Sequence, residues 1–353
     1  MQVGIQFFPD IGPDTKSARD YWRESLRLVD LCDRYGYGHV RTVEHYFHPY
    51  GGYSPNPVVF LAAAAQVTRR ARLVTGAVLP AFNNPLKLAG ELALLDALCD
   101  GRLDIGFARA FLPHEFARFG VALDESRARF DEGMEQVRLL LEQENVTCTG
   151  RFHSFRNVTS FPRPTQRPRP PFYVAVLATP ESFERAGAAG HAIMAIPMAG
   201  AALGELIARY REARARAGHA GPGTVMLAFH MFCHRDQGEA ERIARGPLNR
   251  YLGSLVNAAS DWTSSAASVD YPGYDKVIAG LAAETFETQV DKCAAWVGTP
   301  ARILDTAATY RRQIGEFEIA SLQVNFNDMS LADAEASMRL FGERVLPYLA
   351  TQQ

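Results

Sequence analysis

The sequence predicts a single α/β domain, residues 1–353, folded as a (β/α)8 TIM barrel with insertions after the fourth helix and before the eighth strand. Three observations point there. Short β-like runs alternate with longer helical runs along the whole chain of 353 residues, a rhythm that implies parallel strands covered by helices. The alternation reaches eight units, which favours a closed barrel over a doubly wound sheet. Apolar residues make up 47% of the chain, enough to fill one large core.

Residues 3–8 form the first strand. In the helix after it Trp22, Leu26 and Val29 recur on one face, and the run ends near Gly36. Residues 40–43 are strand-like and run straight into Glu44-His45. Asn56 and Pro57 suit the start of a helix over residues 58–67. The third strand, residues 73–79, is stopped by Pro80, and Leu88, Leu92, Leu95 and Cys99 then repeat at helical spacing until Gly101. Residues 103–107 make the fourth strand and deliver Ala108-Arg109, after which Phe130, Met134, Val137 and Leu141 mark a helix. In the second half, residues 172–176 precede a helix over 181–189, residues 192–196 precede one around 203–218, and residues 225–232 precede another helical stretch. Residues 320–325 precede a last helix with Ala334, Met338, Phe341 and Val345 in register.

Two stretches break the rhythm. Residues 147–171 hold Gly150, several aromatics and the string RPTQRPRPP, whose prolines oppose a helix or a central strand. Residues 249–286 contain NAASDWTSSAASVDYPGYDK, too long for an ordinary connector and too rich in Trp and Tyr for a plain linker. They read as a lid or substrate-enclosing arm, or else as an excursion packed on a neighbouring subunit.

Charge excludes some functions. Lys plus Arg number 37 against 39 Asp plus Glu, a formal net charge of −2, so nothing in the balance argues for nucleic acid or an anionic membrane as partner. Cys32, Cys99, Cys148, Cys233 and Cys293 are scattered, fit neither a zinc knuckle nor a disulfide framework, and agree with a reduced, cytoplasmic protein. The start, MQVGIQFFPDIGP, reads as a first strand rather than an export signal.

In a barrel the chemistry sits just past the C-terminal ends of the strands. Three such places stand out. After the second strand, Glu44-His45-Tyr46-Phe47-His48 offers His45 as a proton donor or acceptor near neutral pH. Glu44 reads equally as a catalytic carboxylate or a structural one. His45 and His48 lack the pattern of a helical zinc site, and no metal is expected. After the fourth strand comes Ala108-Arg109-Ala110-Phe111, where the forked guanidinium of Arg109 suits a phosphate, a buried salt bridge being the alternative. After the fifth, Val176-Leu177-Ala178-Thr179 opens a helix that also carries Ser182; amides at a helix start hold anions, though Thr179 could simply cap the helix. There is no Gly-rich dinucleotide fingerprint, phosphate loop, nucleophile-elbow serine or strand-end Lys, so a borrowed cofactor is the economical source of reactivity.

Taken in order, several of these segments resemble the bacterial luciferase-like flavin-dependent monooxygenases across almost the full length. The resemblance is carried by VGIQFF at the start, TVEHYF at the second strand end, Pro85 with the run from Glu91 to Asp96, WVGTP at 296–300, and above all GRLDIGFARAFLPHEFARFG at 101–120. It implies a non-covalent flavin, FMN in its reduced form FMNH2, supplied by a separate flavin reductase and reacting with dioxygen through a C4a-peroxyflavin to oxygenate a small apolar or aromatic substrate. His45 then corresponds to the catalytic His, with Tyr46 where a second His often follows, and Arg109 to the Arg on the flavin phosphate. Ala108 replaces a reactive Cys beside the flavin, which weakens a light-emitting assignment. Leu79, Pro80 and Ala81 correspond to backbone against the flavin ring. Val176 and Leu177 are apolar where the family has polar phosphate-side groups; with Ala178 they belong to the flavin site, and either Thr179 or Ser182 compensates or the site has lost tight flavin binding. Phe8, Tyr46 and Phe111 line the substrate. Hydride transfer with the deazaflavin F420, or a non-catalytic luciferase-like subunit, are the alternatives, and a homodimer is implied by analogy.

Overall fold

The computed structural model describes residues 1–197 and 200–350. Its strands are β1 Gln2–Phe7, β2 His39–Thr42, β3 Arg72–Val78, β4 Leu103–Phe107, β5 Val146–Thr149, β6 Ser154–Val158, β7 Phe172–Ala175, β8 Ala192–Ala195, β9 Val225–Cys233, β10 Ala295–Gly298 and β11 Ile319–Gln323. Eight of them close a parallel barrel in the order β1-β2-β3-β4-β7-β8-β9-β11, with β11 returning to pair with β1. The lower part of β9 pairs with β8, its middle with β11, and His230 to Cys233 with β10, a ninth parallel strand outside the barrel.

The pleat sorts side chains between two cores. Val3, Ile5, Phe7 and Val40 point outward into the large core under the helices. Val74, Tyr173, Met194, Met226 and Ile319 point inward and plug the lower lumen. Phe8, Val43 and Leu112 form an upper cluster with Leu255, Trp262, Tyr271, Tyr274 and Ile278 from the arm that crosses the barrel mouth.

The predicted barrel strands stand within a residue or two of the observed ones. Two helix starts follow the same local logic. Asn56 Oδ1 accepts Val58 N–H at 2.9 Å at the head of helix Pro57–Val67, and Asn84 Oδ1 accepts Leu86 N–H at 2.9 Å at the head of helix Pro85–Leu98, each with proline in the first turn. Four features were not anticipated. β10 is a four-residue strand, too short to show a period. Residues 147–171 include most of an antiparallel hairpin, β5 with β6, outside the barrel. A short helix, Pro113–Phe119, follows β4. The stretch 249–286 is mostly helical: it finishes helix Gln237–Ala258 and adds Asp261–Ser264 and Tyr274–Leu281.

Candidate active site

His45 sits three residues past the end of β2, buried, with its ring among Phe8 (5.4 Å between centroids), Tyr50 (5.5 Å) and Phe111 (6.1 Å). Gly51, at φ 81°, passes so close that a Cβ there would lie 2.5 Å from His45 Cβ, so the loop can enclose the ring only with glycine at this position. Sequence reasoning missed the residue that orients His45. Glu115, wholly buried on helix Pro113–Phe119, accepts from His45 Nδ1 at 3.1 Å and from Tyr46 N–H at 2.8 Å through the same Oε1, while its Oε2 has no partner among the described residues. An oxygen already accepting a backbone N–H assigns the proton to Nδ1 and leaves Nε2 of the neutral ring as an acceptor. His48 turns elsewhere, its Nε2 2.9 Å from Asn257 Oδ1. Among the described residues no three His, Cys, Asp or Glu cluster as metal ligands.

Glu44 ties two strand ends together. Its Oε1 accepts from Tyr46 Oη at 2.5 Å and Asn83 Nδ2 at 2.8 Å, and its Oε2 from Leu79 N–H at 3.0 Å. Burial pushes its carboxyl up to about 7 against the pull of those three donors. Its oxygens are thus engaged in the wall between β2 and β3, although the residue reaches the cavity.

Arg109, past β4, donates from Nη1 to the carbonyl of Asp270 at 2.5 Å, and its guanidinium lies 4.2 Å from the Tyr271 ring centroid. That bond goes to a backbone carbonyl of the crossing arm, not to a carboxylate. The arm is fixed to the same loop by Tyr271 Oη on Ala110 O at 2.7 Å and by Trp262 Nε1 on Phe111 O at 2.7 Å. Thr179 stands at the N-cap of helix Pro180–Ala188 but makes no capping bond to the backbone; its hydroxyl is 2.7 Å from that of Ser182.

A cavity of about 270 Å³ at the C-terminal mouth of the barrel gathers these groups. Phe8, Glu44, His45, Leu79, Ala108, Arg109, Phe111, Val176, Leu177, Thr179 and Ser182 all line it, with Leu252, Leu255, Tyr274 and Ile278 above. Four expected site residues do not line it. Tyr46 faces Glu44, Phe82 and Phe119; Ala81 packs with Leu79, Ala110 and Phe116; Pro80 meets the helix at Gly133; and Ala178 is not among the lining residues. The cavity also exposes groups that sequence reasoning passed over: Gln6, Arg41, His230, Tyr251 and Gln323. A charged residue within a short strand gives no sign of its direction until the barrel closes. The donor set suits a cofactor with an anionic tail, because Arg109, Thr179 and Ser182 collect at one side of an otherwise largely apolar chamber.

A family model described as luciferase-like monooxygenase matches residues 1–316. The oxygenase component of a flavin-dependent trigonelline monooxygenase from Acinetobacter baylyi is 34% identical over 187 residues, 52% of this chain and 51% of that protein. The chain spans about half the length of the first curated relatives it matches. Among solved structures, monooxygenase RslO1 from Streptomyces bottropensis is 43% identical, with a TM-score of 0.89, covering 99% of this chain and 100% of that one. The oxygenating constituent of 3,6-diketocamphane monooxygenase from Pseudomonas putida, solved in complex with FMN, shares the fold with a TM-score of 0.81 at 21% identity, over 98% of each chain. An F420-dependent secondary alcohol dehydrogenase shares it too, with a TM-score of 0.75 at 17% identity over 98% of each chain.

Proposed function

The chain belongs to the luciferase-like monooxygenase family, and on that premise we propose that it is the oxygenating component of a two-component system, using reduced FMN from a separate flavin reductase to oxygenate a small apolar or aromatic molecule. One observation carries this reading: His45 and Arg109, from the ends of different strands, meet in one chamber with largely apolar walls. Bound reduced flavin would supply the electrons with which dioxygen is activated.

The protein's own contribution follows from its residues. Arg109, with the hydroxyls of Thr179 and Ser182, would hold the phosphate tail by charge-assisted hydrogen bonds. Leu79, Ala108 and Leu177 would keep water from the reacting centre, and the arm that brings Tyr274 and Ile278 over the cavity acts as the lid. His45 Nε2 would take or return a proton at an oxygen of the reacting centre, while Glu115 fixes the ring from behind. Glu44 serves the architecture of the mouth, since its oxygens are occupied by Tyr46, Asn83 and Leu79.

Anaerobic titration with FMNH2, FMN and reduced F420, followed by oxygen-uptake measurement, tests the reading. Tighter binding of FMNH2 than of the other two, with oxygen uptake only when FMNH2 is added, is the expected result. Selective binding of reduced F420 without oxygen uptake would make the protein a hydride-transferring enzyme. Binding of none would make it a non-catalytic subunit.

A further inference from the structure

The cavity has a polar floor that none of the steps above uses. Gln6, Arg41, Gln323 and His230 lie in one layer across four neighbouring strands, Gln6 in register with both Arg41 and Gln323, and Gln323 with His230. All four line the cavity. Arg41 donates from Nη1 to Gln6 Oε1 at 2.6 Å and from Nη2 to Gly76 O at 2.9 Å, both neutral acceptors, and its Nε has no partner among the described residues. His230 Nε2 is also without a partner among the described residues, its ring wedged against Tyr251 (4.4 Å between centroids) and Phe326 (5.2 Å).

A cation inside a barrel needs a counter-charge. The buried carboxylates at the mouth are engaged elsewhere: Asp10 by Asn327, Glu44 by three donors, Glu115 by His45 and Tyr46. Burial lowers the Arg41 guanidinium to about 10, so it stays charged at neutral pH. Space for it is built in. A Cβ on Gly76 would lie 2.0 Å from Arg41 Nε, so glycine there lets the guanidinium lie flat under the end of β3.

Position separates this cation from the proposed phosphate site. The floor residues occupy the half of the barrel made by β9, β11, β1 and β2, whereas Arg109, Thr179 and Ser182 follow β4 and β7 in the other half. We propose that the floor recognises an acidic oxygen of the substrate (a carboxylate, phenolate or enolate on an otherwise apolar ring system), with Arg41 as its counter-cation and Gln6 and His230 as neighbouring hydrogen-bonding groups. This rests on the monooxygenase reading and narrows its substrate class.

Equilibrium titration of the full chain, with and without FMN, by 2-naphthoate and by its uncharged isostere 2-naphthamide tests the proposal. The acid should bind about tenfold tighter or better, as one charge-assisted pair warrants. Arg41→Met should abolish that preference, Arg41→Lys should keep part of it, and Arg109→Ala should leave it intact. Equal affinities in the unmodified protein overturn the proposal, and that comparison needs no variant to fold. A preference that survives Arg41→Met, or is lost only with Arg109→Ala, also overturns it. So does an Arg41→Met protein that keeps the preference and instead loses affinity for FMNH2 relative to FMN, which would assign the cation to the flavin ring. A chain that binds no flavin yet shows the Arg41-dependent preference would defeat the monooxygenase reading alone.

Discussion

Glu115 Oε1 lies 3.1 Å from His45 Nδ1 across 70 residues of sequence, and the other oxygen of the same buried carboxylate bonds to none of the described residues. Glu115→Gln can keep Oε1 in place for both donors and put its amide nitrogen at the orphan position, so it removes charge with little change of shape. We expect it to lower kcat by about 10- to 100-fold while leaving flavin affinity nearly unchanged. Glu115→Ala would strand His45 Nδ1 and Tyr46 N–H and cost about 2–3 kcal/mol of stability. Steady-state kinetics beside denaturant melts separates the two effects; an unchanged kcat in Glu115→Gln would remove Glu115 from the proton-handling assembly.

The bond from Arg109 to Asp270 O joins the proposed phosphate site to the arm over the mouth. Arg109→Ala should raise the FMN dissociation constant by about 10- to 100-fold, the worth of a charge-assisted contact or two. It should also speed proteolysis of the arm near residues 265–273. Trp262→Phe deletes the indole bond to Phe111 O and trims a ring packed on Tyr271 and Tyr274, so it should loosen the arm by about 2 kcal/mol and leave flavin affinity alone. Limited proteolysis run beside flavin titration distinguishes the variants, and equal behaviour of the two would uncouple arm and phosphate.

Glu44 makes stability depend on pH in a definite direction. Its folded carboxyl stands near 7 through burial, against an ordinary value of 4.5, so the folded state holds the extra proton between those limits. Stability from this group is therefore fully present below about pH 4.5 and declines as pH rises to 7. Glu44→Gln lacks the titration. The stability of the unmodified protein relative to Glu44→Gln should fall by on the order of 3 kcal/mol from pH 4.5 to 7.5. Taking the difference cancels His39 and His230, which burial lowers to about 3 and which contribute with the opposite slope. A flat difference would mean that three donors keep Glu44 ionised throughout.

The barrel was legible because its strands are apolar runs bounded by Gly, Pro and Asn, and because Asn56-Pro57 carries its own start signal. The mouth was legible only in part. His45 and Arg109 announce themselves as polar residues directly after strands. Glu115 does not, since it belongs to a seven-residue helix too short to show a period and meets His45 only through the fold. Arg41 is hidden for a different reason: within His39–Thr42 nothing in the sequence says which face of the pleat looks into the lumen. The Pro-rich run correctly argued against helix, yet the hairpin before it was masked by its polar, aromatic-spaced strands, all but one of whose residues lie at least partly exposed.

Helices Pro57–Val67 and Pro85–Leu98 are apolar on the side away from the barrel as well. Val59 is 69% exposed, Leu94 50% and Leu98 46%, and Phe161, 75% exposed, lies beside the second helix near Gly90. Exposed large apolar side chains on a neighbouring helix pair suit a protein interface, and we expect these helices to pair with their copies in a homodimer. Because the positions are exposed in the single chain, Val59→Asp with Leu94→Asp should cost little folding stability while splitting the dimer. Light scattering on a sizing column should read twice the chain mass for the unmodified protein and the single mass for the variant. A monomer in the first case, or an intact dimer in the second, would place the interface elsewhere.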